Sequence, residues 1–340
     1  MNITICGGGN LGHVTAGFFA AQEGLHVSLL TTRPDQWSHH IEVIDAKGHV
    51  FKGNLETITS QAEDVIPNAD IVLVCLPGFA IHDVLSNIAH CLNPKTWVGT
   101  VVSSTGFFFE ALRIFPKTQP LFGFQRVPFI SRIINYGHTA ELKGYKESLS
   151  VAVEQIDDKE KVRVTLQELF KTPTHLLDSY YEVSLSNSNP LLHTARLYTM
   201  WKDWKPGIVY DKNPEFYSEW TIDAAELLIA MDVEFQMLLK KIGLKEGTIP
   251  TVLDYYESKD ADSLMRKLQS IPAFKGILSP MKTNKSGKFE PDFSSRYFTE
   301  DFPYGMRFIV ETANHFNVDI PTINLVYQWG MSQPNIYGDN

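Results

Sequence analysis

The feature that most constrains this chain lies in its first dozen residues. Ile3-Thr4-Ile5-Cys6 reads as a short buried strand, and Gly7-Gly8-Gly9-Asn10-Leu11-Gly12 follows without a gap. An apolar helical stretch then runs from Leu11 to about Gln22, before Gly24. Gly7, Gly9 and Gly12 thus occupy the G-x-G-x-x-G positions of a strand–turn–helix unit that binds a dinucleotide. Gly7 permits the tight turn, Gly9 lets backbone N–H groups approach a pyrophosphate, and Gly12 lets the helix lie close to the sheet. The helix N-terminus places partial positive charge where the phosphates would sit. Directly after a strand, the pattern points to a nucleotide rather than to a merely structural turn. The cofactor contacts expected here are Gly7, Gly9, Asn10, Leu11 and Gly12.

The first half continues as strands alternating with helices. Leu25–Leu30 is a second strand, ending in Thr31-Thr32-Arg33-Pro34. At this place a carboxylate binds the ribose 2′-hydroxyl of NAD, whereas an arginine accommodates the 2′-phosphate of NADP. No carboxylate precedes Asp35, so Arg33 points to NADP, with NAD left open; the alternative for Arg33 is a solvated loop charge. Residues 41–59 alternate apolar and polar around Lys47-Gly48, as in a hairpin. Ile71–Leu76 is a continuous apolar strand of the kind buried on both faces, ended by Pro77-Gly78 and followed by a helix from about Ala80 to Cys91. Trp97–Val102 is the next strand, with Ser103-Ser104-Thr105-Gly106 at its carboxyl end. Ligands bind outside the carboxyl ends of such strands. That assigns Pro77, Gly78 and the Ser/Thr turn to the nicotinamide side, unless the turn only caps a helix. Leu121–Phe124 is a further strand. Ser148–Glu154 and Thr174–Leu177 read as late strands flanking a helix from about Lys159 to Lys171.

Near Tyr181 the alternation stops and the pattern becomes helical. Asn189-Pro190 marks a helix start, since proline suits the first helical position. Ser218–Lys241 carries apolar residues at helical spacing, including Ile222, Ala225, Ile229, Val233 and Met237, with Gly243 as its stop. Asp301-Phe302-Pro303 opens another helix, to about His315. The expected architecture is an α/β N-terminal domain (1–182), a Rossmann-type doubly wound parallel sheet, followed by an all-α substrate domain (183–340). Between Tyr198 and Trp220 the aromatics Trp201, Trp204, Tyr210, Phe216 and Tyr217 read as helix packing rather than as a lid or subunit contact.

Composition removes several classes of function. A net charge of −9 argues against nucleic acid and anionic membrane surfaces as partners. It leaves small anions open, because a local arginine cluster overrides a net charge. Cys6, Cys75 and Cys91 fit no metal-ligand spacing and cannot all pair, so no metal is expected. No apolar run approaches the ~18 residues that span a bilayer, and the N-terminus lacks the features of a signal peptide. These points suggest a reduced, cytoplasmic protein.

A dehydrogenase acting on a carbonyl or imine needs a proton donor beside the atom that receives charge, and histidine is suited to that work. A carboxylate on the second ring nitrogen would orient the ring and favour its protonated form. Among eleven histidines, His193 stands out, one turn into the first helix after the nucleotide domain. A histidine there either faces the cleft between domains or packs within it.

These residues together resemble the opine dehydrogenases of octopine/nopaline type, over most of the chain. The resemblance rests on Gly7-x-Gly9-x-x-Gly12, on Gln125-x-x-Pro128, on Asn189-Pro190-Leu191-Leu192-His193 and, most specifically, on Arg296-Tyr297-Phe298-Thr299-Glu300-Asp301-Phe302-Pro303-Tyr304-Gly305. It implies that His193 is the proton donor with Asp301 as its partner, that Arg296 helps hold the substrate, and that Gln125 lies near a 2-keto acid. It also implies that an amino acid is condensed with the keto acid and the imine reduced with NAD(P)H, in a chain for which a homodimer stays open. For Asp301 the local alternative is helix capping, worth about 1 kcal/mol; for Arg296 it is a surface charge. Arg126, Arg132 and Arg296 are candidate partners for two substrate carboxylates. Two other readings remain: a 2-ketopantoate-type or other 2-keto/hydroxy acid reductase, for which Lys202 is the candidate lysine, and a non-catalytic NADP-binding sensor. A sensor would not need His193 and Asp301 within hydrogen-bond reach.

Overall fold

The computed structural model describes residues 1–334 and 336–337, in two compact units, Met1–Ser186 and Asn187–Asn340. In the first unit the strands are β1 (Asn2–Cys6), β2 (His26–Leu30), β3 (His40–Asp45), β4 (Val50–Thr59), β5 (Ile71–Val74), β6 (Trp97–Thr100), β7 (Leu121–Phe124), β8 (Phe129–Asn135), β9 (Thr139–Tyr145), β10 (Leu149–Glu154) and β11 (Thr174–Leu176). They form one sheet in the order β11-β10-β7-β6-β5-β1-β2-β4-β3-β9-β8.

The central strands β7 to β4 pair in parallel. β2 and β5 leave β1 on opposite sides, so the order reverses at β1. The crevice outside such a reversal is where nucleotides bind. The expected hairpin over 41–59 is β3–β4, and β4 pairs antiparallel with β3 but parallel with β2. Two additions make the sheet mixed rather than parallel throughout: β10 runs antiparallel to β7, and the β8–β9 hairpin joins β3 at the other edge.

Both faces are buried, as continuous apolar strands require. Ile71 and Leu73 point into one core with Ile3 and Ile5, while Val72 and Val74 point into the other with Cys6. The first face is covered by α1 (Asn10–Ala20) and α4 (Lys159–Phe170), through residues such as Phe18, Phe19 and Leu166. The second is covered by α2 (Gly78–Ala89) and α3 (Phe107–Ile114), through Ile81, Leu85 and Phe108. The short α5 (Tyr180–Leu185) packs against β10 and closes this unit. All three cysteines are free, and burial pushes the Cys75 thiol up to about 12, so Cys6 and Cys75 act as small apolar residues.

The second unit is built on α6 (Asn189–Trp201) and the long α7 (Ile222–Ile242), with α8 (Val252–Tyr255), α9 (Ala261–Ser270), α10 (Arg296–Thr299), α11 (Arg307–Phe316) and α12 (Pro321–Met331). It is not purely helical. Met281–Thr283 (β12) and Phe289–Pro291 (β13) form a small hairpin whose turn is set by Asn284, which accepts the Ser286 and Lys288 N–H groups, and by Gly287 at φ +78°.

Helix α7 ends at Gly243, φ +93°, as expected, but starts at Ile222 rather than Ser218. Its buried face also differs: Ala225, Leu228, Met231, Phe235 and Leu238 are inside, whereas Ile222, Val233 and Met237 are exposed. The aromatic segment is packing in the main, since Trp201, Phe216, Tyr217 and Trp220 are all buried. Among the described residues no helix is long and apolar enough to cross a membrane.

Candidate active site

The glycine turn is explained by close approach. Gly7 sits at φ +118°, and a Cβ there would meet the Cys75 carbonyl oxygen at 2.8 Å. A Cβ on Gly12 would lie 1.9 Å from the Gly7 oxygen, so only glycine lets α1 start this close to β1. Gly9 is exposed, and a Cβ on it would meet nothing within 4 Å. It precedes α1 with no side-chain cap on the first turn, so free N–H groups face open space. These residues fit a dinucleotide pyrophosphate.

The neighbours of the turn hold it in other ways than expected. Asn10 accepts the Ile133 N–H through Oδ1 at 2.8 Å, tying α1 to β8, so its side chain is already engaged. Leu11 packs against the first core, which leaves its backbone for a ligand. His13, fully buried, was not singled out by the sequence. Its Nε2 accepts the Gly137 N–H at 2.7 Å, and its Nδ1 therefore carries the proton and donates to the Gly9 oxygen at 2.9 Å. Burial lowers its pKa, against weaker opposing bonds to Gly9 and Gly8.

A cavity of about 430 Å³ opens beside the turn, lined by Gly7, Gly8, Thr31, Thr32, Ser60 and Asp83 among others. Arg33 is exposed just beyond the end of β2, and its N–H lies 3.4 Å from Thr31 Oγ1. Pro77 is half-buried immediately before α2. Gln125 is half-buried after β7, its N–H bonded to the Ser150 oxygen. Arg126 donates to the Ser186 oxygen and Arg132 to the Ser131 oxygen.

In the second unit, residues 108 positions apart meet. His193 Nδ1 lies 2.8 Å from Asp301 Oδ2, and the two side chains are 12% and 14% exposed. Pro190 at the start of α6 sets the ring one turn in. Asp301 makes no capping bond: the next residue but one is Pro303, which has no N–H to offer, and the turn that follows, Phe302–Met306, is of π type. Its carboxylate is thereby left for His193. The carboxylate fixes Nδ1 as the N–H nitrogen and directs Nε2 elsewhere. There Nε2 meets the Tyr217 hydroxyl at 2.8 Å, a partner the sequence did not reveal.

The ring is flanked by Tyr297, 4.7 Å away, and Phe216, 5.9 Å away. Arg296 begins α10 and is exposed; its neighbour Tyr297, rather than Arg296 itself, lies against His193. Lys202 is exposed at the end of α6, about 13 Å of helix rise from His193.

Comparison with known proteins matches two family models to different parts of the chain. Residues 176–332 match the family model described as NAD/NADP octopine/nopaline dehydrogenase, alpha-helical domain, and residues 3–123 match ketopantoate reductase PanE/ApbA. An opine dehydrogenase of Haliotis discus hannai is 27% identical, over 98% of this chain and 90% of its own. A tauropine dehydrogenase of Arabella iricolor is also 27% identical, over 96% of this chain and 90% of its own. A solved octopine dehydrogenase with NADH and L-arginine superposes with a TM-score of 0.84 at 25% identity, covering 97% of this chain and 89% of that one.

Proposed function

We propose that this NAD(P)-dependent oxidoreductase, similar to the octopine/nopaline dehydrogenases, condenses an amino acid with a 2-keto acid and reduces the imine. The observation that carries the reading is the 2.8 Å contact between His193 and Asp301. A nucleotide sensor has no need of an oriented histidine, so the contact speaks for the enzyme. Gly7, Gly9 and Gly12, with the N–H groups of Asn10 and Leu11, would hold a nicotinamide nucleotide, which would supply the hydride.

Condensation expels water as the amine nitrogen adds to the keto carbon. His193, protonated and held by Asp301, acts as general acid toward the nitrogen whose charge changes on reduction, and as base in the reverse direction. Arg296 and Gln125 engage the substrate carboxylates and keto group, and Pro77 lines the nicotinamide side. Arg33 meets a 2′-phosphate, which makes NADP the preferred cofactor.

The test is oxidation of NADPH and NADH against a matrix of keto acids, each with and without amino acids. Pyruvate is the first keto acid to try, since an octopine dehydrogenase has been solved with NADH and pyruvate. Turnover that requires both substrates is expected. Oxidation with keto acid alone favours a ketopantoate-type or hydroxy acid reductase instead. His193→Ala is expected to lower turnover by roughly 10²–10⁴-fold with nucleotide binding intact; an unchanged rate removes the histidine from the mechanism.

A further inference from the structure

We propose that Tyr217 relays the proton between His193 and the substrate, so that the histidine acts through a tyrosine hydroxyl rather than by touching the reacting atom. The inference rests on the dehydrogenase reading above and deepens it. Both ring nitrogens of His193 are taken: Nδ1 by Asp301 and Nε2 by the Tyr217 hydroxyl, each at 2.8 Å. No ring nitrogen is left to face a ligand while Tyr217 stays in place.

Tyr217 is built to stay. It is 5% exposed, and its ring lies parallel to Phe274 at 4.0 Å and 17° and is nearly coplanar in tilt, at 10°, with Trp220. The segment that carries it is pinned to α6 by Arg196, one turn beyond His193. Arg196 is buried and donates to the Glu219 oxygen at 2.6 Å and to Thr221 Oγ1 at 3.1 Å. One helix therefore holds both the histidine and the clamp on its tyrosine.

Half-buried Tyr297 also borders the histidine, its ring 4.7 Å from the imidazole. The titratable groups acting on the phenol are His193, Asp301, Tyr297 and Tyr256. Burial, with those neighbours, pushes the phenol well above its ordinary range. The neutral hydroxyl is thus the working form, which accepts and donates at once. In the transfer, the Nε2–H bond of the imidazolium breaks as its proton goes to the Tyr217 oxygen. The original hydroxyl proton goes to the substrate nitrogen, where a new N–H bond forms. Histidine ends neutral, the substrate gains one proton, and the tyrosine is unchanged.

Tyr217→Phe keeps the ring and removes the relay. With wild-type turnover established on a keto acid–amine pair, the expected result is a kcat lower by about 10²-fold, with KM, NADPH affinity and melting temperature unchanged. A kcat within about twofold of wild type overturns the relay and leaves Tyr217 as packing. If Tyr217→Phe folds poorly, 2,3-difluorotyrosine at position 217 keeps both shape and hydroxyl while making the phenol more acidic. The relay predicts that turnover then falls at an alkaline pH where wild type still works; an unshifted profile overturns it. A wild-type chain that oxidises NAD(P)H with no pair overturns the relay together with the dehydrogenase reading. An active wild type matched by an equally active Phe variant overturns the relay alone.

Discussion

Asp301 stands where a helix cap is expected, yet its carboxylate turns to His193, and that choice decides how its substitutions should behave. Asn is an equally good cap, so a capping role predicts that Asp301→Asn is silent. The geometry predicts otherwise: Asn removes the negative charge facing the imidazolium and can offer an N–H to Nδ1, favouring the wrong tautomer. Turnover should fall by about 10² or more, because the ring loses the carboxylate that orients it. Melting temperature should change little, since no capping bond is lost. Turnover within about twofold of wild type would return Asp301 to a structural role. Arg33 gives an independent test at the other end of the reaction. If its exposed guanidinium meets a 2′-phosphate, Arg33→Ala loses about 1.5–3 kcal/mol, or roughly ten- to a hundredfold in NADPH affinity, and almost nothing for NADH. Equal losses for both nucleotides, measured by fluorescence titration, would make Arg33 a solvated charge.

Among elements, α1 shows how a nucleotide turn is held by parts of the chain far from it in sequence. His13 links the Gly9 oxygen to the Gly137 N–H of the β8–β9 turn, and its ring packs on Trp37 at 4.0 Å. Only the neutral ring fits, because protonation would set an N–H against the Gly137 N–H. An unfolded histidine takes up its proton near pH 6.5, whereas this one does so lower. The stabilisation is therefore complete above about pH 6.5 and is lost as pH falls through the folded value. Urea midpoints should drop over that window in wild type and less steeply in His13→Gln; identical slopes would show that His13 does not titrate out of place. His13→Ala should cost about 1–3 kcal/mol by orphaning a buried donor. The glycines were legible because each answers a steric demand local to the turn, and the central strands because both faces are apolar. The β8–β9 hairpin was not, since Ile130 and Ile134 are exposed and polar residues interrupt the alternation. The buried face of α7 was misread for a similar reason: Val233 and Met237 continue an apolar stripe on its exposed side. Tyr217 was hidden among aromatics, because no spacing separates a hydroxyl aimed at His193 from rings that merely pack around it.

At the scale of the whole molecule, the chain carries two compact units with a candidate site in each: the glycine turn in Met1–Ser186, the histidine and its partners in Asn187–Asn340. The first unit has two cores of its own on either face of the sheet, and the second closes its own polar groups. Buried Glu234 of α7, for example, accepts the Thr322 and Ile323 N–H groups at the start of α12 at 2.8 and 2.9 Å. Units with separate cores unfold as separate cooperative transitions. A ligand held by one of them stabilises that one alone, by RT ln(1 + [L]/Kd), about 2.7 kcal/mol at a hundredfold excess over Kd. For a domain of this size that is a rise of about 5–10 °C. Calorimetry with NADPH and no second substrate should show two transitions, of which one moves by that amount and the other stays. Tryptophan fluorescence, with Trp37 and Trp97 in the first unit and Trp201, Trp204, Trp220 and Trp329 in the second, should report both transitions, the larger amplitude belonging to the one that stays. A single transition that shifts as a whole would show that the two cores do not melt apart, and a nucleotide-dependent shift in the tryptophan-rich unit alone would place the nucleotide away from the glycine turn.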